Sequence, residues 1–192
     1  MSRRRVIRLL ALAIVALASV AGSAAAGKAN PAASYVLSPH DVGGAYRENA
    51  TVSGPRTLGD ISIGDSAAVQ AQIRRDWLGG MEAAYNGTSV PWGIVSLADV
   101  FRSAARVGPI LQAWQGDFVR ISGGTRLSLQ VGWPGMHGVL IRGHVVTSEL
   151  LIYIWQRGRT IASVDVTGPS GKVPLALLMK LALAQDARIS PV

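Results

Sequence analysis

The stretch that most restricts the fold is residues 149–156, ELLIYIWQ, followed by Arg157-Gly158-Arg159 and residues 160–167, TIASVDVT. The first run is apolar without alternation. A strand of that kind carries apolar side chains on both faces and must be covered on both. Gly158 supplies the positive φ of a tight hairpin turn. Residues 160–167 then form the return strand. The chain is therefore built around a central antiparallel hairpin with further layers above and below it.

The other segments fit around this hairpin. Residues 137–147 predict a strand, and residues 128–132 a short one. Residues 92–101 (WGIVSLADVF) and 81–88 alternate like strands, and residues 45–53 like an edge strand. Ser38-Pro39-His40-Asp41 predicts a helical turn, with Ser38 as cap and Pro39 at the first helical position. Asp65 or Ser66 can cap a helix through Leu78, with Val69, Ile73 and Trp77 on one face and Gly79-Gly80 as its stop. Residues 103–117 predict a second helix. Pro109 either kinks it or moves its start to Gly108. A third helix opens at Pro174, runs to Asp186, and is Leu- and Ala-rich on nearly all sides. The expected fold class is α+β: a mainly antiparallel β-sheet packed with about three helices.

The N-terminus reads MSRRRVIRLLALAIVALASVAGSAAAGKAN. A basic start, a short apolar run and small residues are the order of a secretory signal peptide. Cleavage is expected after Ala26, within Ala24-Ala25-Ala26. The alternative is an uncleaved anchor, for which the apolar run is short. The adjacent arginines also resemble a twin-arginine export signal. The expected organisation is a signal peptide at 1–26, a flexible lead-in at 27–34 and a single α+β domain at 35–192.

Charge first invites a nucleic-acid reading, since the chain carries 19 Lys+Arg against 11 Asp+Glu, net +8. Arg3, Arg4, Arg5 and Arg8 belong to the leader, and without them the net charge is +4. No basic stripe remains for a phosphate backbone to follow, so no nucleic-acid partner is expected. The chain has no cysteine, which excludes disulfides, thiolate metal sites and lipid attachment at a cysteine.

Few chemistries survive inspection. His40, His137 and His144 form no metal-binding spacing, and no metal or other cofactor is expected. The loop Gly168-Pro169-Ser170-Gly171-Lys172 lacks the first Gly and the final Ser or Thr of a phosphate loop. It reads as a strand-to-helix connection. No G-x-S-x-G elbow nominates a nucleophile. Trp77 and Trp114 fall on apolar helix faces and read as core. Trp133 lies in the loop GWPGMHG, where periodicity does not explain it. With Trp92 and His137 it forms a candidate ligand-binding pocket rim; the alternative is a loop plugged into the core edge by its own tryptophan.

Four segments taken together carry a resemblance: LSPHDVGGAY at 37–46, VSLADVFRSAARV at 95–107, IYIWQRGRTIASVDVTG at 152–168 and LALAQDARI at 181–189. They resemble a set of uncharacterised exported bacterial proteins similar to the PsbP-like α/β sandwich, an antiparallel sheet between helices. This chain departs from the lipoprotein members in lacking a cysteine to acylate. The resemblance implies a non-enzymatic role and carries no functional residue. The expectation is an exported, monomeric binding or accessory domain of the cell envelope or extracellular space, not an enzyme. Its partner would be a protein or a small apolar ligand, and the membrane would be met only through the leader. The alternative is a secreted hydrolase with an unmarked Ser/His/Asp site using one of the three histidines.

Overall fold

The computed structural model describes residues 29–61, 66–129 and 131–189. The leader at 1–26 and its cleavage at Ala26 lie outside the described residues. Among the described residues no helix is long and apolar enough to cross a membrane.

In chain order the elements are α1 (Pro39–Val42), β1 (Tyr46–Glu48), β2 (Gly54–Pro55), α2 (Leu58–Ile61), α3 (Ala67–Asp76), β3 (Trp77–Gly87) and β4 (Gly93–Phe101). A 3-10 turn (Ala104–Arg106) leads into α4 (Val107–Ser122). Then follow β5 (Thr125–Leu127), β6 (Met136–Val145), β7 (Ser148–Arg157), β8 (Thr160–Pro169) and α5 (Leu175–Arg188). The strands form one antiparallel sheet in the order β1-β3-β4-β8-β7-β6-β5, with β2 also on β3. The fold class is α+β, as the sequence predicts.

The hairpin β7–β8 sits in the middle of this sheet. Its first face packs under α5 and the segment before α1. That core holds Leu151, Tyr153 and Trp155 of β7, Ala162, Val164 and Val166 of β8, and Leu178, Leu181 and Ala182 of α5. Trp155 is fully buried, and its Nε1 donates to Asp186 Oδ1 on α5 at 2.9 Å. Burying a ring of ~150–250 Å² at about 25 cal/mol per Å² contributes roughly 4–6 kcal/mol. The second face packs under α3 and α4, through Ile73, Val107, Ile110, Leu111 and Trp114 against Phe101, Ile154 and Ile161.

The second face is covered over only part of its width. Strands lie ~4.8 Å apart, while a helix with its side chains is about 10–12 Å across. One helix therefore roofs about two strands. Phe118 and Val119 of α4 lie over Ile141 and Ile152 of β6 and β7. Beyond them, Val95 and Leu97 of β4 are half-buried and belong to no hydrophobic cluster among the described residues.

Several sequence expectations are corrected. Residues 30–34 of the predicted flexible lead-in are docked on the sheet. Asn30 Nδ2 donates to Gly80 O at 2.7 Å, Asn30 Oδ1 accepts from Ala32 N, and Ala32 is fully buried. The first long helix ends at Asp76, so Trp77 opens β3 and pairs with Phe101. Gly79-Gly80 does not stop a helix but lies within β3. A side chain at Gly79 would press on Asn30 and one at Gly80 on Asp99, so close approach explains both glycines. Of the predicted edge strand over 45–53 only Tyr46–Glu48 is strand, and β2 follows it at Gly54–Pro55. The strand expected over 128–132 is formed instead by Thr125–Leu127. Pro109 occupies the first turn of α4, where backbone N–H groups lack intrahelical acceptors, and the helix starts at Val107, within a residue of the Gly108 start that Pro109 implied, not at residue 103. The last helix buries one face only, since Leu183 is exposed.

Candidate functional site

The uncovered part of the second face is built by strand register. Partners across antiparallel strands point to the same side. Glu82 of β3 pairs with Leu97 of β4, which pairs with Ser163 of β8. Ala84, Val95 and Asp165 form the next row, and Gly80, Asp99 and Ile161 the row on the other side. The result is a shallow trough. Its floor is Val95 and Leu97, one wall is Glu82, and the other is Ser163 and Asp165.

One end is closed by an ion pair. Asp99 is 1% exposed, contacts Arg56 from the β2–α2 link, and accepts from Trp77 Nε1 at 3.0 Å. Arg56 N also donates to Gly80 O at 3.0 Å, which fixes the link to the sheet. Burial pushes the Asp99 carboxyl up, against the opposing pull of Arg56 and the Trp77 hydrogen bond.

The trough itself holds two carboxyl groups whose charged forms burial disfavours. Burial raises the Glu82 carboxyl, partly offset by Arg56. Burial, and then the charge of Glu82, push Asp165 up to about 7. Asp165 Oδ1 and Ser163 Oγ are buried with no hydrogen bond of good geometry, although the Ser163 hydroxyl lies close enough to the Asp165 carboxyl to pull its pKa down, and Ser163 is 3% exposed. Buried polar atoms are paired in the great majority of cases, so two orphans side by side call for an explanation.

The residues singled out from the sequence stand elsewhere, and not together. Trp133 packs on the first face, with its ring 4.5 Å from that of Tyr153, whose hydroxyl donates to Pro134 O at 2.7 Å. It plugs its own loop into the core. Trp92 packs on the same core beside Gly168, with Nε1 buried and unpaired. His137 is exposed, at φ 54, beside the bulge of β6. It borders a cavity of about 330 Å³ between α4 and β6, shared with Leu111, Gln112, Gln115 and Val139. Gln115 Nε2 already donates to His137 O at 2.8 Å, and no charged group lines that cavity.

The other sequence-level chemistries are placed as follows. Among the described residues no histidine ring bonds a serine or an aspartate, and His40 and His144 are exposed. No group of three or more His, Asp or Glu among the described residues could hold a metal ion. The loop at 168–172 does cradle an anion, but it is the protein's own. Glu149 Oε2 accepts from Gly171 N at 2.9 Å and Val173 N at 3.4 Å, while Arg142 Nε lies 3.0 Å from Oε1.

The trough was missed in the sequence, yet a signal for it exists. In TIASVDVT the odd positions Ser163, Asp165 and Thr167 fall on one face of a central strand. Polar side chains there mark the stretch of that face that no described helix covers.

No family model matches the chain, and no curated protein matches it. Among solved structures it is similar to the extracellular domain of PknH from Mycobacterium tuberculosis. The identity is 8%, the match covers 80% of this chain and 93% of that one, and the TM-score is 0.49. A likeness of that degree carries no inference about role.

Proposed function

We propose that the chain is an exported, non-enzymatic binding domain of the PsbP-like kind, and that its ligand sits in the trough over Val95 and Leu97. Export rests on the leader-like N-terminus. Binding rests on one observation above all: Ser163 Oγ and Asp165 Oδ1 are buried with nothing but each other to bond, and with poor geometry, on a part of the sheet that no described helix covers. A free protein gains nothing from such groups, whereas a ligand that satisfies them recovers their desolvation cost. A binding role also agrees with the absence of any nucleophile motif in the sequence.

Native mass spectrometry of the full chain, purified from the compartment it is exported to, tests this reading. The expected result is an adduct that is lost in Leu97→Arg, which fills the trough. A bare mass for the native protein, or an adduct retained by Leu97→Arg, contradicts it.

A further inference from the structure

The trough's chemistry narrows the ligand further, on the premise that the trough is the binding site. Glu82 stands on one wall and Asp165 on the other, two strand spacings across and two residues along, about 12 Å apart. Arg56 is the cation that acts on Asp165; Asp99 and Asp60 O hold its terminal nitrogens, and its Nε is buried without a partner. An anionic ligand would meet two carboxylates and a guanidinium already paired with Asp99. A purely apolar ligand would leave Asp165 Oδ1 and Ser163 Oγ as poorly bonded as they are in the free protein, so it gains nothing from them. A metal ion lacks a third ligand. A donor-rich cation is the complement that remains. An ammonium group offers three N–H donors and no acceptor, and carboxylate and hydroxyl oxygens accept them. The half-buried side chains of Val95 and Leu97 offer an apolar floor for a hydrocarbon body.

We infer that the trough takes an organic ammonium ion with a short apolar body, its charged head on Asp165 and Ser163 and its body on Val95 and Leu97 toward Glu82. The groups facing Asp165 are Glu82 from β3, Ser163 on its own strand and Arg56 from the β2–α2 link. Glu82, Ser163 and the ionised Asp165 are acceptors, and Arg56, paired with Asp99, is the one cation among them. Binding therefore strengthens as pH rises through the range in which Asp165 loses its proton.

The test is titration of the full chain with n-pentylammonium and phenethylammonium, and with their neutral matches pentan-1-ol and 2-phenylethanol. Binding is followed by the NMR shifts of Val95, Leu97 and Ser163 at pH 6 and pH 8. The expected result is shifts from the amines only, tighter at pH 8. Asp165→Asn should weaken amine binding about tenfold or more, the range for a hydrogen bond to a charged group. Glu82→Gln should weaken it less, and neither variant should alter the far-ultraviolet circular dichroism. Alcohols that bind as well as the amines, or amine binding unchanged in Asp165→Asn, overturn the ammonium assignment and leave the trough as a site. If neither set moves these residues, the assignment falls and the binding reading of the trough falls with it.

Discussion

Asp165 occupies a position on a central strand where an apolar side chain would cost nothing, and the protein carries the consequence in its stability. Its carboxyl sits at about 7 in the folded state, against an ordinary 3.8. Between those values the native state holds a proton that the unfolded chain has lost. Stability is then greatest on the acidic side and falls as pH rises from about 4 to about 7. At 1.36 kcal/mol per unit the loss is at most roughly 4 kcal/mol, and Glu82 and Asp99, both raised, act in the same direction. Urea midpoints measured at pH 4.5 and pH 7.5 should show the native protein weaker at the higher pH. Asp165→Asn should lose most of that difference; an undiminished slope in the variant would sink this account of the residue. None of this was readable from composition, because Glu82 and Asp165 are far apart in sequence and meet only through β4. Ser38, by contrast, was legible. Its N and Oγ both donate to Asp41 Oδ2 at 2.7 Å, the local cap that the motif SPHD implies.

Elements were legible where periodicity acts alone, and misread where a distant segment decides. The hairpin β7–β8 lies where its apolar run and Gly158 place it. Residues 29–34 look like a loose tether, since small polar residues carry no pattern of their own. Their order comes from a partner some fifty residues on: Asn30 bonds Gly80, and the glycines of β3 leave the room for it. A similar long-range seam joins Leu37 N to Ser96 Oγ at 2.9 Å, Ser96 Oγ to Gln185 Oε1 at 2.9 Å, and Gln185 Nε2 to Leu97 O at 2.7 Å. Gln185 is fully buried on a helix that otherwise reads as Leu and Ala. Asn30→Ala should cost about 1–2 kcal/mol, because it removes two hydrogen bonds and leaves the N–H of fully buried Ala32 without its acceptor. Chemical denaturation measures it. A loose lead-in would give no change at all.

On the scale of the whole molecule, the sheet is wider than the helices that serve its second face. α4 roofs β6 and β7, α3 closes one end, and the middle of β4 is left with Val95 and Leu97 half-buried between acidic walls. The sequence conveyed that a central sheet needs layers on both sides. It did not convey that one layer stops short, because helix count and helix placement are separate facts. The histidines and loop tryptophans drew attention because they are rare, whereas the trough is made of residue types that are common. The absence of cysteine makes the central claim open to a direct measurement. Leu97→Cys and Ile154→Cys place single thiols on the same sheet face, each across from Ser163. Ile154 is 1% exposed beneath α4. Alkylation of the folded proteins by a small maleimide should label position 97 readily and position 154 only after unfolding. Equal protection of the two thiols would mean that the trough is covered, and would contradict the account.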